Sequence, residues 1–126
     1  MEKLKIRPIP PIVFGYSNIL KTLWKQGELP TVKQGIYGGK LTPENISLEH
    51  INCRCYNGKT QLNNLALATK ELNEMRGNKP LRFFLDSENF IAYIKQFEGV
   101  DLPKFSGKDY VEGLIKTVIK TLESGK

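Results

Sequence analysis

Two short apolar segments, separated by a polar stretch, constrain the fold of this chain most. Residues 46–51 alternate in the manner of a half-buried strand. Residues 65–68 read Leu-Ala-Leu-Ala and suit a return strand. The intervening residues 52–63 are polar and rich in turn formers. This order predicts an antiparallel hairpin at the centre of the chain.

A helical signal follows the second predicted strand without a linker. Thr69 is a suitable N-cap for a helix that runs to Arg76, Gly77 suits the position just past its end, and Pro80 prevents continuation. A hairpin alone is marginally stable, so the flanking segments must cover it. The sequence therefore predicts an α+β fold in which a central hairpin plus helix is flanked by N-terminal and C-terminal helices.

The length of 126 residues suits a single domain, 1–126, with one core. We divide it into an N-terminal arm and helix (1–35), a central unit (about 36–80) and a C-terminal helical region (81–126). Pro8, Pro10 and Pro11 favour an extended arm, and Ser17 is a candidate cap for a first helix that reaches Lys25.

Two amphipathic helices are predicted in the C-terminal region. Ser87 is the candidate cap of the first, with a buried face of Phe90, Ile91, Ile94 and Phe97. The second has an apolar stripe of Val111, Leu114, Ile115, Val118, Ile119 and Leu122. We expect Phe83, Phe84 and this stripe to cover the hairpin.

The net charge and the two cysteines give general indications of the partner and the cellular compartment. The net charge of +6 favours a polyanionic partner, although many basic proteins bind none. No apolar run approaches the roughly 20 residues that cross a bilayer, so we expect no membrane association and a cytoplasmic location. Cys53 and Cys55 are separated by one residue, which predicts two thiols in a reducing compartment and no disulfide.

His50, the single histidine, ends the first predicted strand and follows Glu49. A neutral imidazole is a suitable base near pH 7 for activating a water molecule. Glu49 and Asn73 offer oxygen ligands of the kind that Mg²⁺ or Mn²⁺ prefers, and a strand end facing a helix could bring them together. This set is the chemistry that phosphodiester hydrolysis needs.

The same residues resemble a known motif in order and spacing. The segments that carry it are Leu48-Glu49-His50-Ile51, Asn57-Gly58, Asn64-Leu65-Ala66-Leu67, Asn73 and Arg76-Gly77. They resemble the HNH nuclease motif of the ββα-metal fold, and the resemblance covers roughly residues 36–80. It implies that His50 is the catalytic base, that Glu49 and Asn73 bind the metal, and that Asn64 holds the hairpin loop and orients His50. It further implies an endonuclease acting on double-stranded DNA, with 5′-phosphate and 3′-hydroxyl products.

The chain also departs from the family's pattern. Many relatives have Asp at the position of Glu49, and Asn73 in place of His shifts the preference towards Mg²⁺ or Mn²⁺. Many relatives carry two C-x-x-C pairs for a structural zinc. Gly35 and Gly38 stand where the first pair would fall, and Thr69 and Leu72 replace the second, so we expect no structural zinc.

Basic residues around the motif are candidates for phosphate contacts. They are Lys40, Arg54, Lys59, Arg76, Lys79 and Arg82. Two other functions stay open: a DNA-binding module without catalysis, and a phage structural or anti-defence protein that binds protein partners. A homodimer joined through the exposed part of the last helix is compatible with the sequence, which holds no evidence for it.

Overall fold

The computed structural model describes residues 19–126, and within them the chain has a mixed α+β architecture. Its helices and strands are α1 Ile19–Lys25, β1 Ile46–His50, β2 Leu65–Thr69, α2 Lys70–Arg76, α3 Ser87–Lys95, β3 Asp101–Leu102, β4 Phe105–Ser106 and α4 Gly107–Glu123. No helix of this part of the chain is long and apolar enough to cross a membrane. The predicted extended arm and the cap at Ser17 lie outside the described residues.

The predicted hairpin is confirmed, with strand ends that differ by one residue from the expectation. β1 and β2 pair antiparallel, from Ile46 opposite Thr69 to His50 opposite Leu65. Every residue of β2 is buried. A fully buried strand must satisfy the backbone groups of its outer edge, because unpaired buried amides and carbonyls are costly.

Two buried tyrosines and one loop amide satisfy that outer edge. The Leu67 amide donates to the Tyr93 hydroxyl at 2.9 Å. The Tyr110 hydroxyl donates to the Leu65 carbonyl at 2.7 Å, and the two hydroxyls lie 2.9 Å apart. The Ile36 amide donates to the Leu67 carbonyl at 2.9 Å. The C-terminal helices α3 and α4 are thereby joined to β2 by hydrogen bonds as well as by apolar packing.

The buried faces of α3 and α4 differ from the predicted ones, because these hydrogen bonds turn Tyr93 and Tyr110 towards β2. Tyr93 is fully buried, whereas Ile91 is 50% exposed, because residues two apart point to different sides of a helix. On α4 the buried face contains Tyr110, Leu114 and Val118, and Ile119 is 49% exposed. The apolar patterns predicted the helices correctly, but their rotation follows the tyrosine contacts with β2.

Three further details of the C-terminal region differ from the sequence prediction. The cap of α3 is Asp86, whose carboxylate accepts from the Glu88 amide, and not Ser87. The short β3–β4 hairpin was not predicted. Phe83 does not cover the β1–β2 hairpin: it is 67% exposed and carries the Arg82 guanidinium 4.4 Å from its ring centre.

Helix α2 follows the predicted pattern. The Thr69 hydroxyl accepts from the Leu72 amide at 3.2 Å, and Gly77, with φ of 51°, follows its last residue. Because α2 leaves β2 without a linker, it folds back against the hairpin. The Asn73 side chain consequently reaches β1, where its amide nitrogen lies 3.0 Å from the Leu48 carbonyl.

Candidate functional site

His50 ends β1 and is partly exposed, and its Nε2 lies 3.0 Å from the Thr60 hydroxyl. Burial of the ring, and secondarily the positive charge of Arg54, lower the pKa of His50 below its ordinary value. The imidazole is therefore neutral at neutral pH, which is the form that accepts a proton.

The loop between the strands, residues 51–64, is held together by the side chain of Asn64. Its oxygen accepts from the Asn52 amide at 2.8 Å, and its nitrogen donates to the carbonyls of Asn52 at 3.1 Å and Lys59 at 2.8 Å. Asn64 is itself buried. These bonds fix the segment that carries Thr60, and Thr60 in turn contacts His50. This is the connection that a loop-positioning role for Asn64 requires.

Asn57-Gly58 forms the tightest point of this loop. Asn57 has a positive φ of 66°, which Asn tolerates better than most residues. A Cβ atom on Gly58 would lie 1.7 Å from the Asn52 carbonyl oxygen, so no other residue fits without moving the loop.

The two cysteines of the loop correct the sequence prediction. Cys53 and Cys55 form a disulfide, with their Cα atoms 5.2 Å apart. A 3₁₀ turn over Arg54–Tyr56 brings the two residues to a separation that a disulfide spans. The prediction of two free thiols is therefore wrong for this structure.

Glu49 lies next to His50 in sequence but faces the interior. Its side chain contacts the Tyr37 hydroxyl and forms a salt bridge of 3.0 Å with the Arg76 guanidinium. Burial raises the pKa of Glu49, while the Tyr37 hydroxyl and the Arg76 charge oppose that rise. Tyr37, whose pKa burial also raises, was missed by sequence analysis. It lies 12 positions before Glu49, in a loop that no pattern connects to the strand.

Arg76 is not available for a phosphate contact, contrary to the prediction. It is 1% exposed. Besides Glu49, its guanidinium donates to the carbonyls of His50 and Lys79, each at 3.0 Å. Its Nη2 has no hydrogen-bond partner among residues 19–126. The guanidinium thus joins the end of β1 to the end of α2.

The other predicted phosphate contacts lie on the surface. Lys40, Arg54, Lys59, Lys79 and Arg82 are all exposed. Two of these side chains form hydrogen bonds to the backbone. The Lys79 ammonium donates to the Met75 carbonyl at 2.7 Å, and the Arg82 guanidinium donates to the Gly125 carbonyl at 3.2 Å. Arg54 and Lys59 belong to the loop, Lys79 and Arg82 follow α2, and Lys40 precedes β1.

Asn73 and Glu49 are placed on the same side of β1. Asn73 donates to the Ser47 hydroxyl at 2.6 Å and to the Leu48 carbonyl at 3.0 Å. A carbonyl can only accept, so the amide nitrogen faces the strand and the amide oxygen is left for another partner. Ser47 and Glu49 are two residues apart on the strand and share a face.

The chemical types of the Glu49 and Asn73 groups are those that a hard divalent cation prefers. One carboxylate and one amide oxygen are ligands that Mg²⁺ accepts, with water completing its shell. No group of three or more His, Cys, Asp or Glu side chains suited to a metal occurs in residues 19–126, so any metal here has few protein ligands. Arg76 is the competing cation, because it neutralises the Glu49 carboxylate in this structure.

Comparison of the chain with protein-family models, with curated proteins and with solved structures gives no match.

Proposed function

We propose that this chain is a metal-dependent DNA endonuclease of the HNH type, with the hairpin and α2 forming a ββα-metal unit. The observation that carries the proposal is the placement of His50. It is a neutral, partly exposed imidazole at the end of β1, and it contacts Thr60 of the loop that Asn64 fixes. The Glu49 carboxylate and the Asn73 amide oxygen are ligands of the kind that a hard cation accepts.

His50 acts as the base that deprotonates the attacking water. When its Nε2–H donates to Thr60, the Nδ1 lone pair is left to accept that proton. The lowered pKa favours the proton-accepting form of the ring at neutral pH, and a proton acceptor held in place contributes about 10²–10⁴ in rate.

Glu49 and Asn73 would hold the metal, and Asn64 positions the loop. A bound Mg²⁺ or Mn²⁺ would neutralise charge on the phosphate and support the departing oxygen. Glu49 can bind a cation only if its ion pair with Arg76 opens, because that guanidinium lies 3.0 Å from the carboxylate.

The same ion pair favours a second candidate function, a DNA-binding module without catalysis. A buried arginine with carboxylate, hydroxyl and carbonyl partners can serve a structural role without any metal. If it never opens, Glu49 is structural and the exposed basic residues bind DNA without cutting it.

Cleavage of supercoiled plasmid separates the two functions. Wild-type protein is incubated with Mg²⁺, with Mn²⁺ and with EDTA, and the variants His50→Ala and Glu49→Gln are assayed beside it. The nuclease proposal expects nicked or linear DNA with metal, none with EDTA, and a loss of at least about 100-fold for His50→Ala. Protein without an added histidine tag avoids a second source of imidazole.

A direct metal titration provides the second arm. Mn²⁺ binding, followed by electron paramagnetic resonance, is expected for wild type and weakened in Glu49→Gln. Intact plasmid and no Mn²⁺ binding by folded protein, together with retained duplex binding, would favour the binding module.

A further inference from the structure

A polar cleft of about 350 Å³ lies between the β1–β2 loop and the end of α4. The loop contributes Asn52, Lys59 and Asn64, and the helix contributes Thr117, Lys120 and Thr121. The helix approaches the loop closely, since a Cβ atom on Gly113 would lie 3.2 Å from the Asn63 side chain. The cleft is therefore part of the packing between the loop and α4, and the motif does not include the residues that α4 contributes to it.

The charge of the cleft favours an anion. Its lining includes Lys59, Lys120 and Lys126 and otherwise consists of amide and hydroxyl residues, with no Asp or Glu. Such a lining repels metal ions and offers little to an apolar ligand. It suits phosphate oxygens, which accept hydrogen bonds from ammonium, amide and hydroxyl groups.

Asn52 gives a second, independent observation. Its backbone amide and carbonyl are both bonded to Asn64, but its side-chain oxygen is buried and has no hydrogen-bond partner among residues 19–126. A buried amide without a partner is costly. The nitrogen of the same side-chain amide can donate to a ligand that supplies only acceptors.

The cleft is connected to the His50 site through consecutive residues. Lys59 lines the cleft, and Thr60 contacts the His50 imidazole. The cleft and the His50 imidazole therefore lie against the same short segment of the loop. A single extended phosphodiester chain meets this geometry better than a small free anion, which would occupy the cleft alone.

We propose that this cleft binds the phosphodiester backbone of duplex DNA beside the cleavage point, an inference that rests on the proposed nuclease function. Lys120 contacts a phosphate from α4 and Lys59 contacts the same strand from the loop. The cleft fixes the register of the strand at His50 without reading its bases.

The test measures duplex affinity without cleavage. A fluorescently labelled duplex is titrated in EDTA at several salt concentrations, with wild type, Lys120→Gln and the control Lys108→Gln. Lys108 is exposed in the first turn of the same helix and does not line the cleft. Both substitutions remove one charge, so long-range electrostatics change equally and only a local contact distinguishes them.

Loss of one phosphate contact lowers the salt slope by about 0.9, which corresponds to roughly fivefold weaker binding at about 0.15 M salt. We expect this change for Lys120→Gln and little change for Lys108→Gln. Equal effects of the two variants, or no effect of Lys120→Gln while wild type binds DNA, would overturn the cleft and leave the nuclease proposal standing. If duplex affinity depends on Lys120 but the wild-type protein leaves the plasmid uncut, the cleft is supported as a DNA-binding site and the nuclease proposal is rejected.

Two further outcomes also decide against the cleft. If the wild-type protein binds no duplex at low salt, duplex DNA is not the ligand of the cleft. Inorganic phosphate that binds at Lys120, detected by phosphorus magnetic resonance, without any Lys120 dependence of duplex binding would show a site for a free anion.

Discussion

Replacement of Arg76 by Met tests the ion pair that connects β1 to α2. Methionine keeps an unbranched apolar stem but removes the charge, so the Glu49 carboxylate is left buried without its cation. Breaking a buried pair by removing one partner costs about 3–5 kcal/mol. Carbonyls of His50 and Lys79 also lose a donor, which supports the upper half of that range. We expect Arg76→Met to lower the free energy of unfolding by about 4 kcal/mol near pH 7.

The loss depends on pH with a defined sign. In the wild-type protein the guanidinium charge of Arg76 lowers the pKa of Glu49, so this pKa rises further when Arg76 is replaced. A carboxyl whose pKa is raised in the folded state favours folding below its unfolded pKa, and that contribution is lost as pH rises. The destabilisation is therefore smaller near pH 4, where Glu49 is protonated, than near pH 7.

Urea denaturation measures this directly. With an m value of about 2 kcal/mol/M, the midpoint should fall by about 2 M near pH 7. Arg82→Met is the matched control, an exposed arginine whose loss should cost less than about 0.5 kcal/mol. If Arg76→Met does not fold, the double variant with Glu49→Gln should recover stability, because no buried charge remains. A loss no larger than that of the control, or one independent of pH, would refute the buried pair.

Other predictions concern the loop and the base. Arg54→Gln removes a charge that lowers the pKa of His50, so the acid limb of the pH–rate profile of cleavage should move to higher pH, and an unchanged profile would contradict this. Asn64→Ala should cost about 2–3 kcal/mol in thermal or urea unfolding and slow cleavage, whereas Asn63→Ala, at an exposed neighbouring position, should change the unfolding measurement little. Gly58→Ala should lower the melting temperature, since its Cβ would lie 1.7 Å from a backbone oxygen; a melting temperature equal to that of wild type would show that the loop adapts.

The central hairpin and helix were predictable because their signals are local. The strand signals, the Thr69 cap and the glycine after Arg76 each act within a few residues, and the structure has the hairpin, the cap and the helix end. Burial in β1 does not alternate as the sequence suggested, since Glu49 is buried. The helix faces of the C-terminal region were not predictable in the same way. Tyr93 and Tyr110 are buried because their hydroxyls satisfy the edge of β2, a contact between residues 26 and 45 positions apart.

The contacts of the predicted site residues depend on the fold and could not be predicted from the sequence. His50, Glu49, Asn64 and Asn73 gather around β1, the loop and α2. Arg76 was misplaced because an arginine is usually exposed, and its burial depends on the carboxylate of Glu49 on another element.

Tyr37 and Thr60 went unnoticed in the sequence for a related reason. Neither belongs to a spacing pattern, and each reaches the site only through the conformation of a loop. The cleft lysines, apart from Lys59, were likewise hidden, since α4 lies far from the motif in sequence.

The most direct measurement is the nicking rate of supercoiled plasmid in Mg²⁺ by wild type and His50→Ala, each with and without added imidazole. The account predicts nicking by wild type, its loss in the folded variant, and partial recovery when imidazole replaces the missing base. Intact plasmid with wild type, or an undiminished rate in His50→Ala, would contradict the assignment of His50 as the base of a nuclease.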